Sequence, residues 1–153
     1  MQKQKSKRQS VRHIRLTRQV VSDTFDECNA LFFNGRIERP VKFETWTPHK
    51  RMLGMVRPCY RGKRKGVGSI FHISRRYRWT EENLRRVVVH EMIHLEIEDY
   101  KQPLNFFQRL PFIGHLFIKM HNANFVSRMN EINEQYGLDI AVAFPAMKKE
   151  FKR

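Results

Sequence analysis

Residues 85–100 read RRVVVHEMIHLEIEDY and place His90, Glu91 and His94 in the order H-E-x-x-H. On a helix, residues four apart project from one face, one turn above the other, so both imidazoles can reach a single ion. Glu91 is rotated by about 100° from His90 and stays out of the ligand set. It can lie instead beside a water that the ion activates. Zinc lowers the pKa of such a water toward ~7 and polarises a scissile carbonyl. A carboxylate placed there removes the proton and can pass it to the leaving amine. The spacing therefore predicts His90 and His94 as zinc ligands and Glu91 as the catalytic base of a hydrolase. Because the chain holds seven histidines, two hydrogen-bonded core histidines are the plainer alternative.

A catalytic zinc needs a third protein ligand and an open position. In the extended metzincin pattern a glycine and a further histidine would follow His94, but those positions hold Ile97 and Tyr100. The downstream candidates are His115, His121 and, as carboxylate ligands, Glu131 and Glu134. His121 is preferred because it opens the stretch HNANF just before a helical pattern whose stripe of Phe125, Met129 and Ile132 should pack inward.

These residues must be positioned by a small set of elements. Leu16, Val20, Val21, Phe25, Cys28, Leu31 and Phe32 recur at helical offsets from Thr17, and Gly35 and Pro40 stop that helix. Three strand-like runs follow, VKFETW (41–46), RMLGMVR (51–57) and GVGSIFHIS (66–74), the last with Val67, Phe71 and Ile73 expected on one face. The H-E-x-x-H helix opens at Thr80, an N-cap followed by Glu81 and Glu82 in the first turn, and is expected to run to about Tyr100. Leu84, Val87, Val88, Met92, Ile93 and Leu95 cover most of its circumference, so it should be buried, and polar groups inside it need partners. A Pro- and Phe-rich connector leads to a third helix over 122–136, closed by Gly137.

A length of 153 residues suits one domain, here 16–140, with a basic, disordered arm over 1–15 and a basic tail over 141–153. Lys and Arg outnumber Asp and Glu by 30 to 15, an excess that favours association with polyanions, nucleic acid above all. Cys28 and Cys59 are too few for a disulfide framework or a four-cysteine zinc site. The first residues are polar and basic without a signal-type apolar run, and LPFIGHLFI is too short to span a bilayer. The expectation is an intracellular, cytoplasmic protein (the nucleoid included), neither secreted nor in a membrane.

The stretch LFFNGRIERPVKFETW, a basic β segment, VVVHEMIHL and then HNANF at a helix start resemble, in that order, the SprT-like family of zinc metallopeptidases. The resemblance covers roughly residues 17–140. It implies His90, His94 and His121 as ligands of one Zn²⁺, Glu91 as the base, and protein substrates bound or crosslinked to DNA. Two departures stand out: the chain cannot form the four-cysteine ribbon that many members carry, and the segment between His94 and His121 is long. DNA contacts would then fall to the arm (Lys3, Lys5, Lys7, Arg8, Arg12, Arg15), to Arg61, Lys63, Arg64 and Lys65, and to Arg75, Arg76 and Arg78. Tyr77 and Trp79 could stack on unpaired bases or pack beneath the helix. Backbone-directed, non-sequence-specific binding, single strands included, is expected. The fold expected is a single α+β zincin-like domain, a small, mostly antiparallel sheet packed on the H-E-x-x-H helix with flanking helices. The rival readings are a nucleic-acid-binding module with a closed structural zinc, adding His115 or His72, and a general metallopeptidase unconnected with DNA.

Overall fold

A computed structural model describes residues 12–48, 52–60, 67–101 and 121–141. Helix α1, Arg18–Phe33, starts where the Thr17 hydroxyl accepts the Val20 N–H at 3.1 Å and ends at Asn34 in the left-handed conformation. Its buried stripe is Val21, Phe25, Cys28 and Phe33. Leu31, expected on that stripe, is 52% exposed, because the inward face is rotated toward Cys28 and Phe33. Helix α2, Glu81–Ile97, is capped by the Thr80 hydroxyl on the Asn83 N–H at 3.1 Å. It stops short of Tyr100: Glu98 turns left-handed (φ 55°) and a 3₁₀ turn, Asp99–Lys101, folds back. Helix α3, Ala123–Tyr136, begins at Asn122, whose side chain accepts the Phe125 N–H at 2.9 Å, and closes at Gly137.

The strands β1 (Lys42–Trp46), β2 (Gly54–Pro58) and β3 (Ser69–Ser74) form a sheet in the order β1-β3-β2. The pair β2–β3 is antiparallel and the pair β1–β3 parallel, so the sheet is mixed rather than mostly antiparallel. The reason is the connection: the β2–β3 hairpin reverses the chain and brings β3 back between its predecessors, running the same way as β1. Val67, expected on the strand's inward face, precedes β3 and is 44% exposed.

Helices α1 and α2 pack on the face of the sheet that carries Phe43, Val56, Phe71 and Ile73, and α3 packs against α2. The Phe25 ring meets Phe43 and Phe71 edge-on at 5.4 and 5.5 Å, clamping α1 to the sheet. Helix α2 packs against α1, β2 and α3, so the H-E-x-x-H helix is central to the fold. Trp79 is 1% exposed and its indole donates to the Ser74 carbonyl at 2.8 Å. Trp79 is thus part of the core and offers no stacking surface; Tyr77 leans edge-on against it. Ile14 N–H donates to the Trp79 carbonyl at 2.8 Å, which ties the inner end of the arm expected over 1–15 to the domain. Among the described residues, the result is a small α+β unit of three helices and a three-stranded mixed sheet.

Candidate metal centre

The helical offset of four puts the His90 and His94 rings one above the other, with centroids 5.2 Å apart. Tertiary packing supplies the third. His121, directly before the α3 cap, brings its ring to 4.9 Å from His90 and 5.2 Å from His94. The three histidines each present a ring nitrogen, all within 4.8 Å of one another, and His90 Nε2 and His121 Nε2 are 3.0 Å apart. Two imidazole nitrogens on one tetrahedral zinc sit about 3.3 Å apart, so the spacing suits a shared ion.

Which nitrogen faces inward is decided by what the other one touches. His94 Nδ1 lies 2.8 and 3.0 Å from the two carboxylate oxygens of Asp99, and His90 Nδ1 lies 3.1 Å from the Ala141 carbonyl. Both partners accept only, so each Nδ1 carries the proton and each Nε2 keeps its lone pair for a cation. Asp99 reaches His94 because the left-handed Glu98 ends α2 and turns the next residue back. The sequence pattern did not single out Asp99; its one signal was an acid five positions after the second histidine of H-E-x-x-H, readable only once the helix end is known. Nor did it single out Phe125 as part of the site. That ring, one turn into α3 and fully buried, lies 4.8, 4.5 and 4.4 Å from His90, His94 and His121 and forms the apolar floor under all three.

The electrostatics hold His90 and His121 neutral and push His94 the other way. Burial, then His94 and His121, push the His90 pKa down to about 3; burial and His94 push His121 down to about 4. For His94 burial opposes the charge, but the Asp99 hydrogen bond, with Glu91 and Asp99 nearby, carries it above the ordinary value. Glu91 is 4% exposed, and burial, helped by Asp99, raises its carboxyl to about 7 against the opposing pull of His94 and the Val56 amide. Its side chain lies against Gly54, where an added β-carbon would sit 2.7 Å from Oε1. Strand β2 therefore fixes the carboxyl beside the histidines.

His72, a possible fourth ligand of a closed site, lies on the other face of the sheet. Arg57 Nε donates to its Nε2 at 2.9 Å, Glu44 Oε2 is 3.3 Å from its Nδ1, and Trp46 packs edge-on. Neither Glu131 nor Glu134 joins the cluster: Glu131 pairs with Arg128 at 2.8 Å, and the group able to hold an ion is made of histidines alone among the described residues. Arg75, Arg76 and Arg78 are exposed on the turn between β3 and α2. His115, the loop cations Arg61, Lys63, Arg64 and Lys65, the outer arm and the tail beyond 141 lie outside the described residues. Among the described residues, no helix is long and apolar enough to cross a membrane. Neither a scan against protein-family models nor a search of curated proteins returns a match for this chain.

Proposed function

We propose that the chain is a zinc-dependent metallopeptidase with a zincin-like domain, acting on proteins bound or crosslinked to DNA. The observation that carries this reading is the convergence of His90, His94 and His121 with a buried Glu91 held at their side by β2. Three converging imidazoles fit a catalytic zinc, which takes three protein ligands and leaves a position open. When bound, the ion supplies Lewis acidity, acidifying water and polarising the scissile carbonyl.

The chain's own residues do the rest. Asp99 and the Ala141 carbonyl engage Nδ1 of His94 and His90, leaving each Nε2 as the atom that would hold the ion. The Glu91 carboxylate accepts the proton of the attacking water and returns it to the leaving amine; a pKa raised to about 7 suits both transfers near neutral pH. Strand β2 is the sheet edge nearest Glu91, and no strand pairs with its outer side among the described residues. An extended peptide added to that edge would run past the base.

This arrangement and the order of the sequence blocks support the SprT-like resemblance. The DNA link rests on the excess of 30 basic over 15 acidic residues and on the exposed Arg75, Arg76 and Arg78. The deciding experiment is digestion of a basic DNA-binding protein by zinc-loaded chain, with and without single-stranded DNA, beside Glu91→Gln. Cleavage that needs DNA and Glu91 is the expected result. Cleavage indifferent to DNA would leave a general metallopeptidase, and bound zinc with no cleavage at all would leave a structural zinc module.

A further inference from the structure

His90 depends on a carbonyl that lies far along the chain. Ala141 is 51 residues away, and its oxygen must stay within 3.1 Å of His90 Nδ1 to keep the proton there and Nε2 free. The segment 138–141 leaves α3 at Gly137 and crosses back over α2. Four features pin it. Arg86, one turn before His90 on α2, donates from Nε to the Leu138 carbonyl at 3.0 Å and from its terminal nitrogen to Asp139 at 2.9 Å. Asp139 takes a left-handed conformation (φ 54°), which bends the chain inward. Ile140 is 3% exposed and anchors that bend in the core. Finally, Asn133 on α3 grips Ile140 by both backbone groups: Oδ1 accepts its N–H at 2.7 Å and Nδ2 donates to its carbonyl at 2.8 Å.

A primary amide is the side chain suited to that grip, with an acceptor and a donor on adjacent atoms. Asp would lose the donor, and Gln would overshoot by one methylene. The gripped residue is the one directly before Ala141, so Asn133 sets where the Ala141 carbonyl can point. Helix α3 then serves the centre twice. Its N-terminal end presents His121, and its last turn, through Asn133, braces His90.

We propose that Asn133 is a positioning residue for the metal centre, holding the Ala141 carbonyl on His90 and thereby fixing His90 as the Nδ1–H tautomer. The proposal rests on the metal reading above for its consequence, but the tautomer itself is independent of any ion. It is tested with ¹⁵N-histidine-labelled, metal-free chain by long-range ¹H–¹⁵N spectra at neutral pH, followed by zinc titration against a competing chelator. In the unmodified chain His90 should be the Nδ1–H form. Asn133→Ala should give mixed tautomers at His90, leave His94 on Asp99 unchanged, and weaken zinc binding by roughly 10- to 100-fold. Asn133→Asp, which keeps the acceptor for Ile140 N–H, should fall between and serves if the alanine variant does not fold. A His90 that is Nε2–H in the unmodified chain overturns the proposal without any variant. So does an Asn133→Ala chain that loses stability while keeping the His90 tautomer. If the unmodified chain binds no zinc, the metallopeptidase reading fails while the tautomer result still decides the brace.

Discussion

The backbone of Gly54 on β2 lies flat against the Glu91 side chain on α2, so close that a β-carbon would come within 2.7 Å of Oε1 and 2.9 Å of Cγ. Gly54 is not among the positive-φ glycines, so the close approach alone, and not backbone conformation, excludes a side chain there. Gly54→Ala should therefore displace the Glu91 carboxyl while leaving the three histidines in place. Misplacing a catalytic group by about 1 Å costs ~10²-fold in rate. Steady-state kcat/KM on a peptide substrate should fall by about that factor with zinc stoichiometry unchanged. Undiminished turnover would remove Glu91 from the chemistry.

Asp99 has one evident task, to accept the His94 Nδ1 proton at 2.8 Å. Replacing such a carboxylate typically weakens metal binding about 10- to 100-fold. Asp99→Ala is expected to shift the zinc competition curve by that amount. An unshifted curve would make the hydrogen bond incidental.

Burial lifts the Glu91 carboxyl from 4.5 to about 7, so over that range the folded chain retains a proton that the unfolded chain has released. Stability contributed by the protonated form is complete below pH 4.5 and is lost as pH rises toward 7. Glu91→Gln removes this dependence. In metal-free protein the variant should gain on the parent by on the order of 3 kcal/mol between those pH values and no further above them. Urea unfolding at a series of pH values measures the gap. A gap constant across the series would mean that Glu91 is solvated.

Phe125 is fully buried and touches all three histidine rings. Phe125→Ala should lower the unfolding free energy by ~3–5 kcal/mol, the usual cost of emptying an aromatic core site. Denaturant unfolding with a chelator present isolates this packing loss from metal release.

The proposed DNA contact at the exposed Arg75, Arg76 and Arg78 is open to test by salt dependence. Each phosphate of a single strand that a cation neutralises adds about 0.7 to the slope of log K against log salt. Changing all three arginines to Gln should flatten the slope by roughly 2. An identical slope would assign DNA binding to another surface.

Much of this was written in local sequence. Thr17, Thr80 and Asn122 cap their helices at or close to the positions that the pattern indicates, because a cap acts over three residues. The strand runs were legible but not their pairing, since the parallel β1–β3 arrangement depends on where a hairpin inserts rather than on any residue type. The end of α2 was not legible either. Nothing in the apolar pattern stops at Ile97, and the left-handed Glu98 that turns Asp99 onto His94 is stabilised by the hydrogen bond it creates.

The sequence by itself determined that His90 and His94 share a face with Glu91 beside them, because helical geometry is the same wherever the helix lies. Tertiary structure decided what that face becomes. It brought in His121 from 27 residues beyond His94, laid Gly54 against Glu91, and set Asp99 and Ala141 on the two Nδ1 atoms. The physical reason is that each of these contacts joins backbone paths fixed by packing of the whole core, and no local spacing encodes them.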